Sequence, residues 1–509
     1  MIRNKKLFLV VTSILVLALA LAGCGQKPAE EAKGQKDTIV VAQSADAKSL
    51  DPHATNDSTS SNVMTQIYDT LVYATEDMEI QPGLAESWNQ VDDTTWEFNI
   101  RKGVKFHNGE ELKASDVKFT LDRMMKSSKV SHIVEAIDSV EVVDDYKVVI
   151  KTKEPFSPLL AHLAHSAAGI LNEKAVKEAG DNYGQNPVGT GPFKFVSWEA
   201  GDKITLERFD DYFRGPAKLK KVIFRVVPEG TNRTIGLETG EIDIAYGIEP
   251  IDKDRVANHE NLQLIEAPSL GMYYIGFNCE KAPFDNKLVR QAVSYAINPD
   301  DIIEAVLSGS GFKANSPIAP GVFGYNDKLN RYEYNPEKAK ELLKEAGYEN
   351  GFKTELWISG SLANQIAQIV QAQLKEIGID VSIESLEWGT YIDRTAKGEQ
   401  EMFFLGWTTV TGDADYGLYP LFHSSAKGSA GNRSFYGNPE VDKLLEQGKV
   451  ATDIEKREEI YKKAQELIME DAPIFPLFYK LQNAGTQKFI KGFKLHPAGH
   501  HKLYNIYFE

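Results

Sequence analysis

An apolar run from Leu7 to Ala22, preceded by Arg3, Lys5 and Lys6, ends at Gly23, Cys24 and Gly25. Nothing later approaches the roughly 18 consecutive apolar residues that a membrane-crossing helix needs. A basic stub, a short apolar stretch and a small-residue cleavage site read as a secretory signal over residues 1–23. Residues 24–36, polar and without apolar period, read as a tether. What remains must fold outside the membrane, and beyond the tether Cys279 is its one cysteine. No intramolecular disulfide is then possible, so stability must come from packing. A body of roughly 470 residues is too long for one core and predicts two or three lobes.

The formal net charge of −16 argues against a nucleic-acid partner, which would need a basic face. Strand-like alternation appears at Thr38 to Ala42, Trp96 to Ile100, Val140 to Thr152, Phe193 to Arg208 and Val222 to Val227. Helical spacing appears from Ser115, read as an N-cap, through Met125. It recurs at Lys287 to Ile297, Pro336 to Ala346, Asn364 to Ile377 and Ile454 to Met469. Strands and helices in mixed order make the chain α/β. Cys279, in an apolar run, reads as a small buried hydrophobe.

Leu21-Ala22-Gly23-Cys24 resembles a lipobox, which implies acylation of Cys24 and a lipid-anchored protein on the extracellular or periplasmic side of the cell membrane. Leu84-Ala85-Glu86-Ser87-Trp88, Arg101 to Gly109 and Pro187 to Phe193 resemble stretches of the family 5 extracellular solute-binding proteins. So do Val289-Arg290-Gln291-Ala292 and the run Arg457, Tyr461, Gln465, Asp471, Pro473, Pro476. Ser49-Leu50-Asp51-Pro52 and Gly412 to Tyr416 look most like the glutathione-binding subgroup.

The resemblance implies a periplasmic-binding-protein-like fold of two clasping lobes joined by a hinge, plus a third peripheral lobe. Lobe one would take residues 37–73, 184–268 and 486–509, the peripheral lobe 74–183, and lobe two 271–485. The implied function is capture of a peptide or peptide-like solute and delivery to ABC-transporter permease subunits. It further implies a monomer with no cofactor, no metal and no catalysis. Asp415 would receive the solute's ammonium, with Asp413 able to share that role. Tyr416, Trp407 and Trp388 would supply aromatic walls, and Ser58 and Thr59 would face the cleft. Where dipeptide-type relatives carry a carboxylate-pairing arginine, this chain has Asn364 and Gln365, which cannot form that bidentate pair.

Two alternatives stay open. An exported peptide or cell-wall hydrolase would use Ser115-Asp116-Val117-Lys118, but no Ser-Asp-Asn or Lys-Thr-Gly companion occurs. A metallo-hydrolase would need clustered ligands, but no His-Glu-x-x-His occurs and His162 and His165 read as ordinary buried or rim residues; a nickel- or haem-binding family member would draw on the adjacent His500 and His501. His500 and His501, taken as strand neighbours, would point to opposite faces.

Overall fold

In a computed structural model of the chain, the described residues are 36–329, 332–428 and 431–509. The expected leader, the tether up to residue 35 and the acylation site at Cys24 lie outside them.

The architecture is organised by two long strands, Leu262–Phe277 of 16 residues and Ile474–Gln487 of 14 residues. They run antiparallel in two blocks. Leu262 to Pro268 pairs with Gln487 to Leu481, and Met272 to Gly276 pairs with Tyr479 to Ile474, with register shifts between Pro268 and Met272 and between Tyr273 and Tyr274. The first block joins a group of strands led by Thr38–Gln43, which pairs in parallel with Lys221–Val226 and Ile244–Tyr246. Lys203–Arg208 and Phe193–Glu199 extend that group antiparallel. The second block carries Met402–Thr408, then Phe352–Ile358 and Ile379–Ser385, and the short strand Gly311–Lys313 pairs with Ile474–Gln487 to complete an 11-stranded sheet. One sheet thus spans both groups of strands, and its pairing is broken near the middle.

Period-2 alternation explains why the second half carries helices on both faces. Met272, Tyr274, Trp357 and Phe403 turn to one side, where Ala414–Phe422, Pro439–Val450 and Ile454–Asp471 pack. Ile275, Phe277, Leu356 and Met402 turn to the other, under Lys287–Ala296, Pro336–Glu345 and Ser361–Lys375. A separate four-stranded antiparallel sheet is formed by Ala85–Asp92, Thr95–Ile100, Lys147–Thr152 and Ile137–Asp144. It buries Trp96, Phe98, Val148 and Ile150 against Val117, Leu121 and Met124 of the helix Ala114–Met124. Leu171, Val176 and Tyr183 pack instead with Ile39, Val41 and Phe193.

Three local expectations are corrected. The runs Val140 to Thr152 and Phe193 to Arg208 are each two antiparallel strands joined by a tight turn, because alternation continues on both sides of a short connection. Ser115 is not the helix N-cap. That position is Lys113, whose N–H is accepted by the Asp116 carboxylate at 3.0 Å, while Ser115 is exposed in the first turn. His500 and His501 lie in irregular backbone rather than a strand, yet their rings still diverge. His501 packs on Tyr246 at 4.9 Å and His500 on His165 at 6.2 Å.

Gly276 shows how tightly the second half is packed. A Cβ there would come within 2.2 Å of Cζ of buried Phe403. Gly276→Ala is therefore expected to lower unfolding stability by about 1–3 kcal/mol through overpacking, measured by urea denaturation.

Candidate functional site

The site is assembled at the first turn of the helix Ala414–Phe422. Asp413 is its N-cap, accepting the Asp415 N–H at 2.9 Å, and both Asp413 oxygens are held by Arg457 at 2.8 and 2.7 Å. Arg457 also donates from Nε to the Gly448 carbonyl at 2.8 Å. Asp413 is thereby committed to a buried bidentate pair and a helix cap. Its effect is to fix where the next carboxylate points.

That carboxylate, Asp415, is 5% exposed and makes no hydrogen bond through Oδ1. Facing it from the segment beside the smaller sheet is His162, whose Nε2 lies 3.9 Å from Asp415 Oδ2 and has no hydrogen-bond partner. The His162 tautomer follows from its other nitrogen. Nδ1 sits 2.6 Å from the Ile133 carbonyl, so it carries the proton, and burial holds the ring pKa below the usual value. Nε2 is then an acceptor. Among the described residues no protein N–H reaches Asp415 Oδ1 or His162 Nε2.

Burial pushes the Asp415 pKa up to about 7. The Lys449 ammonium opposes this from nearby, while Asp413 adds to it and the Arg457 charge reduces it. Lys449 is itself committed, lying 3.5 Å from Glu135 and over the Tyr419 ring at 4.5 Å. Its amount of charge is not enough to keep Asp415 in the ordinary carboxylate range.

These groups line a cavity of about 580 Å3 between the two halves of the molecule, walled by Phe156, Trp407, Tyr416 and Tyr419. The Trp407 Nε1–H donates to the Tyr416 carbonyl at 3.0 Å, and the two rings lie 5.6 Å apart. Ser157 N–H donates to the Lys449 carbonyl at 3.2 Å, so the walls touch directly at the rim.

Asp415, Tyr416 and Trp407 are thus brought together. Trp388 is not at this cavity: it is 54% exposed and stacks on Tyr391 at 5.8 Å. Ser58 and Thr59 open the helix Ser58–Ile67 beside its N-cap Asp57, and the Thr59 hydroxyl is spent on the Asp57 carboxylate at 2.7 Å. Neither lines the cavity. Sequence reasoning missed His162 as a polar wall, together with Glu135, Tyr419 and Lys449. They come from separated segments and no spacing links them. Among the described residues no group of three or more His, Cys, Asp or Glu side chains is placed to hold a metal ion.

A cleft between halves joined by two strands, closed over unpartnered acceptors, defines a solute-binding protein with the periplasmic-binding-protein fold. The model of the bacterial extracellular solute-binding proteins, family 5, matches residues 79–429, and the chain belongs to that family. It is 38% identical over 477 residues to the glutathione-binding protein GsiB of Pectobacterium atrosepticum, covering 91% of this chain and 92% of that one. It is 32% identical to the dipeptide-binding protein of Escherichia coli, covering 98% and 99% respectively. Among solved structures, DppA of Helicobacter pylori in complex with the peptide STSA superposes with a TM-score of 0.85 at 35% identity, covering 93% of this chain and 98% of that one.

The raised pKa of Asp415 has a stability consequence whose sign is fixed. Between an unfolded value near 4 and the folded value of about 7, the folded state holds a proton that the unfolded state has lost. Stability from this group is therefore lost as pH rises through that window. Asp415→Asn is expected to stabilise the ligand-free protein by up to a few kcal/mol at pH 8, with the gain vanishing below about pH 4. Thermal denaturation across pH checks it.

Proposed function

We propose that this chain is the substrate-binding lipoprotein of an ABC importer, capturing a peptide or peptide-like solute and passing it to the permease without chemical change. The observation that carries the reading is the buried, donor-free pair of Asp415 and His162. A protonated amine offers three N–H donors and a positive charge. It would satisfy both Asp415 oxygens and His162 Nε2 at once and restore the carboxylate to its ionised form. In a desolvated cavity that exchange is worth far more than in water. Trp407, Tyr416, Tyr419 and Phe156 would wall the chain with apolar surface that tolerates varied side chains.

The names of the relatives support a peptide-like ligand, since one is described as glutathione-binding and another as dipeptide-binding. The break in pairing between Pro268 and Met272 supports a hinge there, with lobe one and the peripheral lobe on one side and lobe two on the other. Acylation of Cys24 would keep the receptor at the membrane surface as a monomer, and mass spectrometry of the processed N-terminus tests that part. A hydrolase reading finds no support at Ser115, which is exposed and lies outside the lining of the Asp415 cavity.

The test is thermal stability against dipeptides, tripeptides, longer peptides and glutathione, each also as its N-acetyl form. Free-amine peptides are expected to raise the melting temperature by mass action, N-acetylation to remove the effect, and Asp415→Ala to weaken binding by at least 100-fold. Affinity should fall about tenfold per pH unit below the Asp415 value of about 7, because the proton competes for the same oxygens. It should fall again above about pH 8, where a peptide α-amino group loses its charge. Binding that ignores both pH and acetylation would contradict the reading, and consumption of the peptide would replace it with an enzyme.

A further inference from the structure

A second, smaller cavity of about 50 Å3 lies nearby, with the ring of its lining residue His165 6.4 Å from the Tyr416 ring that walls the Asp415 cavity. It is formed by Thr65, Tyr73, His165, Thr411, His500 and Lys502 among others, and no carboxylate lines it. Its chemistry is the reverse of the first. His165 is 4% exposed, and its Nδ1 accepts the Ala167 N–H at 3.0 Å. Burial keeps this ring neutral, so its one proton is on Nε2, and that N–H has no partner. The Lys502 ammonium has neither an ion pair nor a hydrogen bond among the described residues, and it lies over the Tyr73 ring at 4.8 Å. Lys502 is exposed as a residue, yet desolvation by the protein around its ammonium holds its pKa below the usual lysine value. Asp69 and Glu76 favour its charge from a distance and Arg214 opposes it. His496, by contrast, is fully used, with Nδ1 accepting the Ala498 N–H at 3.2 Å and Nε2 facing the Ala74 carbonyl at 3.3 Å.

Three ring contacts connect the two cavities: His162 to Tyr416 at 6.1 Å, Tyr416 to His165 at 6.4 Å, and His165 to His500 at 6.2 Å. An acceptor pair therefore stands at one end of a short row of rings and a donor pair at the other. We propose that the Lys502 ammonium and the His165 Nε2–H bind the free carboxylate of the same solute whose amino group is held at Asp415. The solute would then be a short zwitterion lying with a fixed direction. Extended chain covers about 3.5 Å per residue, which suits a peptide of a few residues. The donors match the group: a carboxylate accepts along several lone-pair directions and gains most from a charged donor in a poorly hydrated site. This inference rests on the Asp415 reading above.

The experiment uses the full chain in detergent, a mixed tripeptide pool, and the same pool amidated at its C-termini, with affinities read by calorimetry. The wild-type chain is expected to prefer the free acids by tenfold or more. Lys502→Gln should lose that preference by weakening acid binding while leaving amide binding unchanged, and Lys502→Arg should retain it. Equal affinity for acids and amides in the wild type, or equal weakening of both by Lys502→Gln, would overturn the inference. If acids and amides bind alike but N-acetylation still abolishes binding, the carboxylate site falls and the Asp415 reading stands. If none of the pools binds, both fall.

Discussion

The buried pair between Arg457 and Asp413 is the interaction on which the site depends. A bidentate pair this deep costs desolvation of two charges, and geometry must repay it. Here both carboxylate oxygens are paired, one also caps the helix Ala414–Phe422, and the guanidinium Nε–H reaches the Gly448 carbonyl. The pair therefore does three things from one position. It joins the helix Ile454–Asp471 to the start of Ala414–Phe422 and ties both to the end of Pro439–Val450. Above all it removes Asp413 from solute chemistry and leaves Asp415 as the carboxylate without a partner.

That vacancy of partners is a cost carried by the ligand-free protein. A buried acceptor without a donor loses about 1–3 kcal/mol of hydration that nothing returns. The surrounding packing tolerates it because the second half is buried on both sheet faces, with side chains such as Phe403, Tyr461 and Leu356 almost wholly enclosed. The expected gain from Asp415→Asn and the expected loss of peptide binding are two sides of one trade between stability and function. The pairing break between Pro268 and Met272 complements this. It concentrates irregular geometry in the two strands that connect the halves, so that movement there need not disturb either core.

Much of this was legible in the sequence where the relevant residues are close together. Asp413, Asp415, Tyr416 and Trp407 fall within one strand-to-helix connection, Met402–Thr408 to Ala414–Phe422, so a local motif could place them. It could not separate the roles of the two aspartates, because the partner that decides is Arg457, more than forty residues later. His162, Lys449, His165 and Lys502 were not legible as site residues. They reach the cleft from elements with no common spacing, and a histidine in a Leu- and Ala-rich segment looks the same whether its second nitrogen is satisfied or left open. Ser58, Thr59 and Trp388 illustrate the converse: likeness of position drew attention to them, while the hydroxyl of Thr59 and the ring of Trp388 are engaged locally. Ser115 went astray for a simpler reason. Serine is a good cap, but an aspartate at the third helical position that accepts the cap residue's own N–H decided the start one turn position differently.

The most direct measurement is an NMR titration of the Asp415 carboxyl carbon with and without a bound free-amine peptide. The account predicts a value of about 7 in the ligand-free protein, falling by two units or more when the ammonium occupies the site. A ligand-free value in the ordinary carboxylate range, or one that does not move when peptide binds, would contradict it.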